Sequence, residues 1–65
     1  MRIDAEKLRA ELYRRCMTQI ALADMAGISH TTIAGVANGK SCSRKTAERI
    51  AATLGIKLEE LGVLL

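Results

Sequence analysis

The chain has no proline, no tryptophan and no phenylalanine, and Tyr13 is its only aromatic residue. A sheet-rich core draws on aromatic and β-branched side chains, so this composition argues against one. Forty-nine per cent of the residues are nevertheless hydrophobic. The core must be aliphatic, built from Leu, Ile, Val, Met and many alanines, which suits closely packed helices. Two cysteines, Cys16 and Cys42, make a weak disulfide framework, and no signal peptide or long apolar run is apparent. A soluble, cytoplasmic chain with free thiols and no membrane association is the expectation.

Enzymatic chemistry has little to stand on. One histidine, no Ser/His/Asp cluster, no glycine-rich phosphate loop and no paired metal-ligand spacing are present. A metal site formed by Cys16, His30 and Cys42 has no paired-ligand spacing to support it. No cofactor and no small-molecule ligand is implied. Sixty-five residues hold one small core, near the lower limit for folding without disulfides or metal. Residues 1–65 therefore read as one domain, without linker or repeat.

What is present is a pattern from Gln19 to Asn38. Thr18 suits an N-cap and Gln19 the first helical residue of a helix containing Leu22 and the small Ala23. Gly27 supplies the positive φ that a turn between two helices needs. Ile28 then points inward, and Ser29 caps a second helix. In that helix Ile33 and Val36 face the core, while His30, Thr31, Ala34 and Gly35 point away. Ala23 is small where the two helices must cross closely. Six positions agree on this unit: Leu22, Ala23, Gly27, Ile28, Ile33 and Val36.

Around the motif, Asp4 caps a helix to about Arg15 with Leu8 and Leu12 inward. Asn38-Gly39 forms a turn and Lys40 to Cys42 a polar loop, with Cys16 packing as a small apolar group. Ser43 caps a helix through Leu54 with Ala47, Ile50, Ala51 and Leu54 on one stripe, and Gly55 stops it. A short fifth helix from about Leu58 buries Leu58 and Leu61. The apolar tip Val63, Leu64 and Leu65 either folds back on the core or meets a second copy of the chain.

The net charge is +3, and its placement is uneven. From Tyr13 to Lys45 the bases Arg14, Arg15, Lys40, Arg44 and Lys45 face one acid, Asp24, and the rest of the chain is slightly acidic. Positive charge thus brackets the second motif helix, as phosphate contacts require. Backbone N–H groups at the helix starts near Gln19 and Ser43 add to it. His30 has donors for guanine or thymine, Thr31 and Thr32 hydrogen-bond or touch thymine methyls, and Ala34 packs on a methyl. Gly35 inside a helix costs about 1 kcal/mol relative to alanine, so it serves close approach, to DNA or to another helix.

The segments MTQIALADMAGIS, TTIAGVANGK and RIAATLGIKLEEL resemble the phage repressor and Cro-like helix-turn-helix domains, over roughly Leu8 to Leu61. The resemblance implies an all-α, compact five-helix bundle whose third helix enters the major groove of double-stranded DNA. It implies a regulator of transcription, a repressor acting as a homodimer, for which the apolar C-terminal residues Leu61, Val63, Leu64 and Leu65 of this sequence offer the contact. The base-reading residues implied are His30, Thr31, Ala34 and Gly35, to which side-chain chemistry adds Thr32. The resemblance implies Gln19, Asn38 and Lys40 as phosphate-binding residues, with Gln19 also bracing the first reading residue; the placement of charge and of helix starts adds Arg15, Arg44, Lys45, Thr18 and Ser29. Small residues at Ala34 and Gly35 and histidine at position 30 depart from the commoner polar readers. Modest specificity per half-site is the consequence. A protein-interaction module on the same fold, such as an antitoxin or antirepressor, is the alternative.

Overall fold

The computed structural model describes residues 1–64, so Leu65 and its expected part in a dimer lie outside the described residues. Four helices form: α1 (Ala5–Arg14), α2 (Gln19–Ala26), α3 (His30–Ala37) and α4 (Arg44–Leu54). Each starts where a short polar side chain accepts a backbone N–H. The Asp4 carboxylate receives Glu6 N at 3.0 Å and Lys7 N at 3.3 Å. Thr18 Oγ1 receives Ala21 N, Ser29 Oγ receives Thr32 N, and Ser43 Oγ receives Thr46 N. These caps satisfy donors that the first turn leaves orphaned, worth about 1 kcal/mol each. Helices α2 and α4 stop at Gly27 (φ 68°) and Gly55 (φ 71°), in the left-handed region that glycine enters without a Cβ clash.

Leu8 and Leu12 of α1, Leu22 of α2, Ile33 and Val36 of α3, and Ile50 and Leu54 of α4 meet in one aliphatic core, joined by Ile3 and Leu61. No polar or charged side chain among the described residues is buried in it. Ala23, Ala37 and Ala47 are also fully enclosed, which lets helix axes approach closely where a larger side chain would hold them apart.

Three expectations are corrected. The fifth helix is a single 3-10 turn, Leu58–Leu61. Gly55 and Gly62 (φ 66°) both adopt left-handed geometry and bracket a segment too short for a run of α-helical bonds. Leu61 is fully buried in the core and is not available for a dimer contact, whereas Leu58 is only half-buried. Cys16 does not pack as an apolar group: it takes φ 52° after the end of α1, which turns its side chain to solvent.

Cys42 lies in the loop between α3 and α4, as expected, and packs half-buried against the core, with its N–H donating to Met1 O at 2.7 Å. That burial pushes its thiol pKa upward. The chain ends come together as an antiparallel bridge between Arg2 and Leu64, with Leu64 N donating to Arg2 O at 2.7 Å. Val63 is half-buried and the Leu64 side chain remains 46% exposed. The backbone of the tip thus folds back on the N-terminal segment. Among the described residues, no helix is long and apolar enough to cross a membrane.

Candidate nucleic-acid interface

Helices α2 and α3 pack directly on each other across the Gly27 turn. With Ile33, Val36 and Ala37 turned into the core, the other side of α3 carries exposed His30, Thr31 and Thr32 and the half-exposed Ala34 and Gly35. No residue from His30 to Ala37 bears a permanent charge. A helix with short side chains on its outer face lets its backbone approach a groove closely.

The hydroxyls on this face have defined directions. Ser29 Oγ accepts Thr32 N and donates to Thr32 Oγ1 at 2.7 Å, which leaves the Thr32 proton available outward. His30 Nε2 lies 2.9 Å from Asp24 Oδ1 on α2. Gly35 is not bare: a Cβ built there would meet Lys40 Cδ at 3.3 Å, so the Lys40 stem lies over it, and Lys40 N donates to Gly35 O at 2.9 Å. The room that glycine provides is taken by this lysine. Its aliphatic chain packs while its ammonium reaches solvent.

The flanks are mixed. Asn38 Nδ2 donates to Ala34 O at 2.9 Å, which commits one of its two amide protons to ending α3. Arg44 Nε sits 3.3 Å from Glu48 Oε2 in an exposed pair, whereas Lys45 has no ion-pair partner among the described residues. Arg15, expected on phosphate, is half-buried and committed elsewhere. Its guanidinium bonds the Glu11 carboxylate, Glu11 O at 3.0 Å and Leu54 O at 2.9 Å, tying the end of α1 to the end of α4. Arg14 adds a bond to Glu11 at 2.9 Å. The two guanidiniums, Arg15 foremost, hold the Glu11 carboxyl below the usual carboxylate range. Thr18 caps α2, and Gln19 lines an open groove with Arg9, Tyr13 and Met17.

A family model described as helix-turn-helix matches residues 8–61. The chain belongs to this family, as a phage repressor and Cro-like domain. Helix-turn-helix domains of this kind bind DNA, and α2 with α3 is the motif in this chain. Among solved structures, a mutant of hydroxyethylphosphonate dioxygenase is similar over 98% of this chain, at 25% identity and a TM-score of 0.84. The chain spans only 14% of that protein's length. The helix-turn-helix unit therefore resembles one small part of a much larger chain. No curated protein matches.

Sequence reasoning left several residues of this helix-turn-helix unassigned. Arg49 lines a shallow depression with Ile28, Ser43, Lys45 and Thr46, which adds a cation beside the start of α4. Arg9 Nη1 donates to Ala37 O at 2.6 Å, and Arg2 Nε to Gly39 O at 3.2 Å. These two arginines anchor the end of α3 from α1 and from the N-terminal segment. Helical spacing hinted at Arg49, four residues after Lys45, but nothing local in the sequence marked Arg2 or Arg9. Among the described residues no cluster of three or more His, Cys, Asp or Glu side chains is assembled, and Cys16, His30 and Cys42 are not brought together.

Proposed function

We propose that this domain is a sequence-specific DNA-binding regulator of transcription, a repressor that acts as a homodimer with α3 in the major groove. The observation that carries the reading is the outer face of α3: exposed His30, Thr31 and Thr32 and small Ala34 and Gly35, without formal charge, set between cationic flanks. Lys40, Lys45, Arg44 and Arg49 displace counterions from phosphates and supply affinity without sequence information. Thr18, Gln19, Ser29 and Asn38 add polar groups around helix ends, where anions are favoured at the N-termini. The threonines, His30 and Ala34 then read base edges and methyl groups. Gly35 contributes by seating Lys40 close to the backbone of α3. For the dimer, Val63 and the exposed Leu64 are the residues offered to a second copy.

Titration of duplex DNA against salt tests this reading. Binding to random duplex should fall steeply with salt, and Lys45→Ala should weaken it for every sequence alike and reduce the slope by about one. Arg44→Ala should weaken it likewise, because it removes one positive charge from the same flank and leaves Glu48 without its partner. Sites selected from random DNA should show two related half-sites if the chain binds as a dimer. Salt-insensitive or absent binding would overturn the proposal in favour of a protein-interaction role.

A further inference from the structure

Asp24 is the single acidic residue from Tyr13 to Lys45. A carboxylate among residues that face phosphates opposes binding, so its position calls for a reason. Among the described residues its side chain makes one hydrogen bond, across the motif: Asp24 Oδ1 to His30 Nε2 at 2.9 Å, from α2 to the first residue of α3. Both side chains are more than half exposed, at 69% and 55%. Exposed pairs contribute little to folding, so stability does not account for the placement.

The contact does fix chemistry. An ionised carboxylate only accepts, so the hydrogen of this bond sits on His30 Nε2. In the neutral ring Nδ1 is then a bare lone pair. No described residue hydrogen-bonds it. An acceptor in the major groove pairs with the N6 amino group of adenine or the N4 amino group of cytosine. It does not pair with the guanine or thymine acceptors. Without the carboxylate, the ring exchanges tautomers and turns freely, and it donates to guanine as readily as it accepts.

We propose that Asp24 is a positioning residue that holds His30 in the Nε2–H tautomer, so that the first reading position of α3 accepts from the exocyclic amino group of adenine or cytosine. The inference rests on the DNA-reading role proposed for α3. It moves the bracing expected of Gln19 to a different residue of α2. It also reverses the polarity expected of His30, from donor toward guanine or thymine to acceptor.

Site selection from random duplex at pH 8, above the ordinary imidazole range, tests the inference on four proteins: the wild type, Asp24→Ala, Asp24→Glu and His30→Ala. Affinity for random duplex and the thermal midpoint are measured on each. The wild type should show one base-pair preference per half-site, and that preference should fall when the adenine or cytosine amino group of the selected pair is replaced by hydrogen in a synthetic duplex. His30→Ala should lose that preference. Asp24→Ala should lose it too, by roughly fivefold or more, the scale of one base contact, while binding random duplex more tightly because a negative charge is gone. Asp24→Glu, which restores an acceptor-only partner, should recover it. A wild-type preference that survives removal of that amino group overturns the tautomer assignment alone. So does an Asp24→Ala protein that loses thermal stability but selects the same base, which marks the contact as a clamp between helices. Absence of salt-dependent binding in all four overturns the DNA-reading role and this inference with it.

Discussion

Helices α3 and α4 begin the same way and then diverge. Each is capped by a serine whose hydroxyl accepts the N–H of a threonine three residues on and contacts that threonine's hydroxyl, Ser29 with Thr32 and Ser43 with Thr46. Each drives a fully buried isoleucine into the core, Ile33 and Ile50. Beyond those shared features α3 carries no charged residue in eight, whereas α4 carries Arg44, Lys45, Glu48 and Arg49 in eleven. The same cap and anchor thus support two surfaces. One is short and neutral, suited to contact with base edges; the other is long and charged, suited to phosphate. Fold and function use opposite sides of each helix, which is why the inner sides can match while the outer sides differ.

The largest test of that comparison lies in the anchors. Ile33→Ala and Ile50→Ala should each cost about 2 to 5 kcal/mol of unfolding free energy, from lost burial plus the cavity left behind. For a domain of this size that is a large share of the total. Urea denaturation should give similar values for the two. A much smaller cost for Ile33→Ala would mean that α3 is held mainly by the Arg9 and Arg2 bonds to its C-terminal carbonyls, and that the inner sides are not equivalent.

The caps give the next effect. Ser29→Ala and Ser43→Ala should each cost about 1 kcal/mol, again nearly equal in denaturation. In DNA binding they should separate. Loss of Ser29 frees the Thr32 hydroxyl on the neutral face and should broaden the selected site. Loss of Ser43 should lower affinity for all sequences and leave the preference unchanged. Equal changes in selectivity would remove the distinction between the two surfaces.

How much of this the sequence carried depends on range. The frame of Leu22, Ala23, Gly27, Ile33 and Val36 was legible because helical periodicity and a left-handed glycine are local signals, and burial follows them. Ile28 obeys the pattern only in part, being half-buried. Serine and threonine caps were legible for the same reason. The 3-10 turn was not, since an apolar pair at Leu58 and Leu61 fits either helix type. Nor was the pairing of Asp24 with His30. It depends on how two helices cross, and spacing assigns a residue to a face without saying which side chain on the next helix it reaches. Arg15 misled because a base near a motif reads as a phosphate ligand until Glu11 and Leu54 O are seen to take it.

The smallest predicted effect sits where the two surfaces adjoin. Gly35 weakens α3 by about 1 kcal/mol relative to alanine, and its backbone conformation does not require glycine. The obstacle is the Lys40 stem, 3.3 Å from where a Cβ would stand. That neighbour is the flexible middle of an exposed side chain, so it yields by a few tenths of an ångström at little cost. Gly35→Ala should therefore raise stability by less than about 1 kcal/mol. The displaced Lys40 ammonium should lower DNA affinity slightly for all sequences without changing the selected bases. A sharpened or altered base preference would instead place Gly35 itself against a base, beside Ala34 on the neutral reading surface of α3.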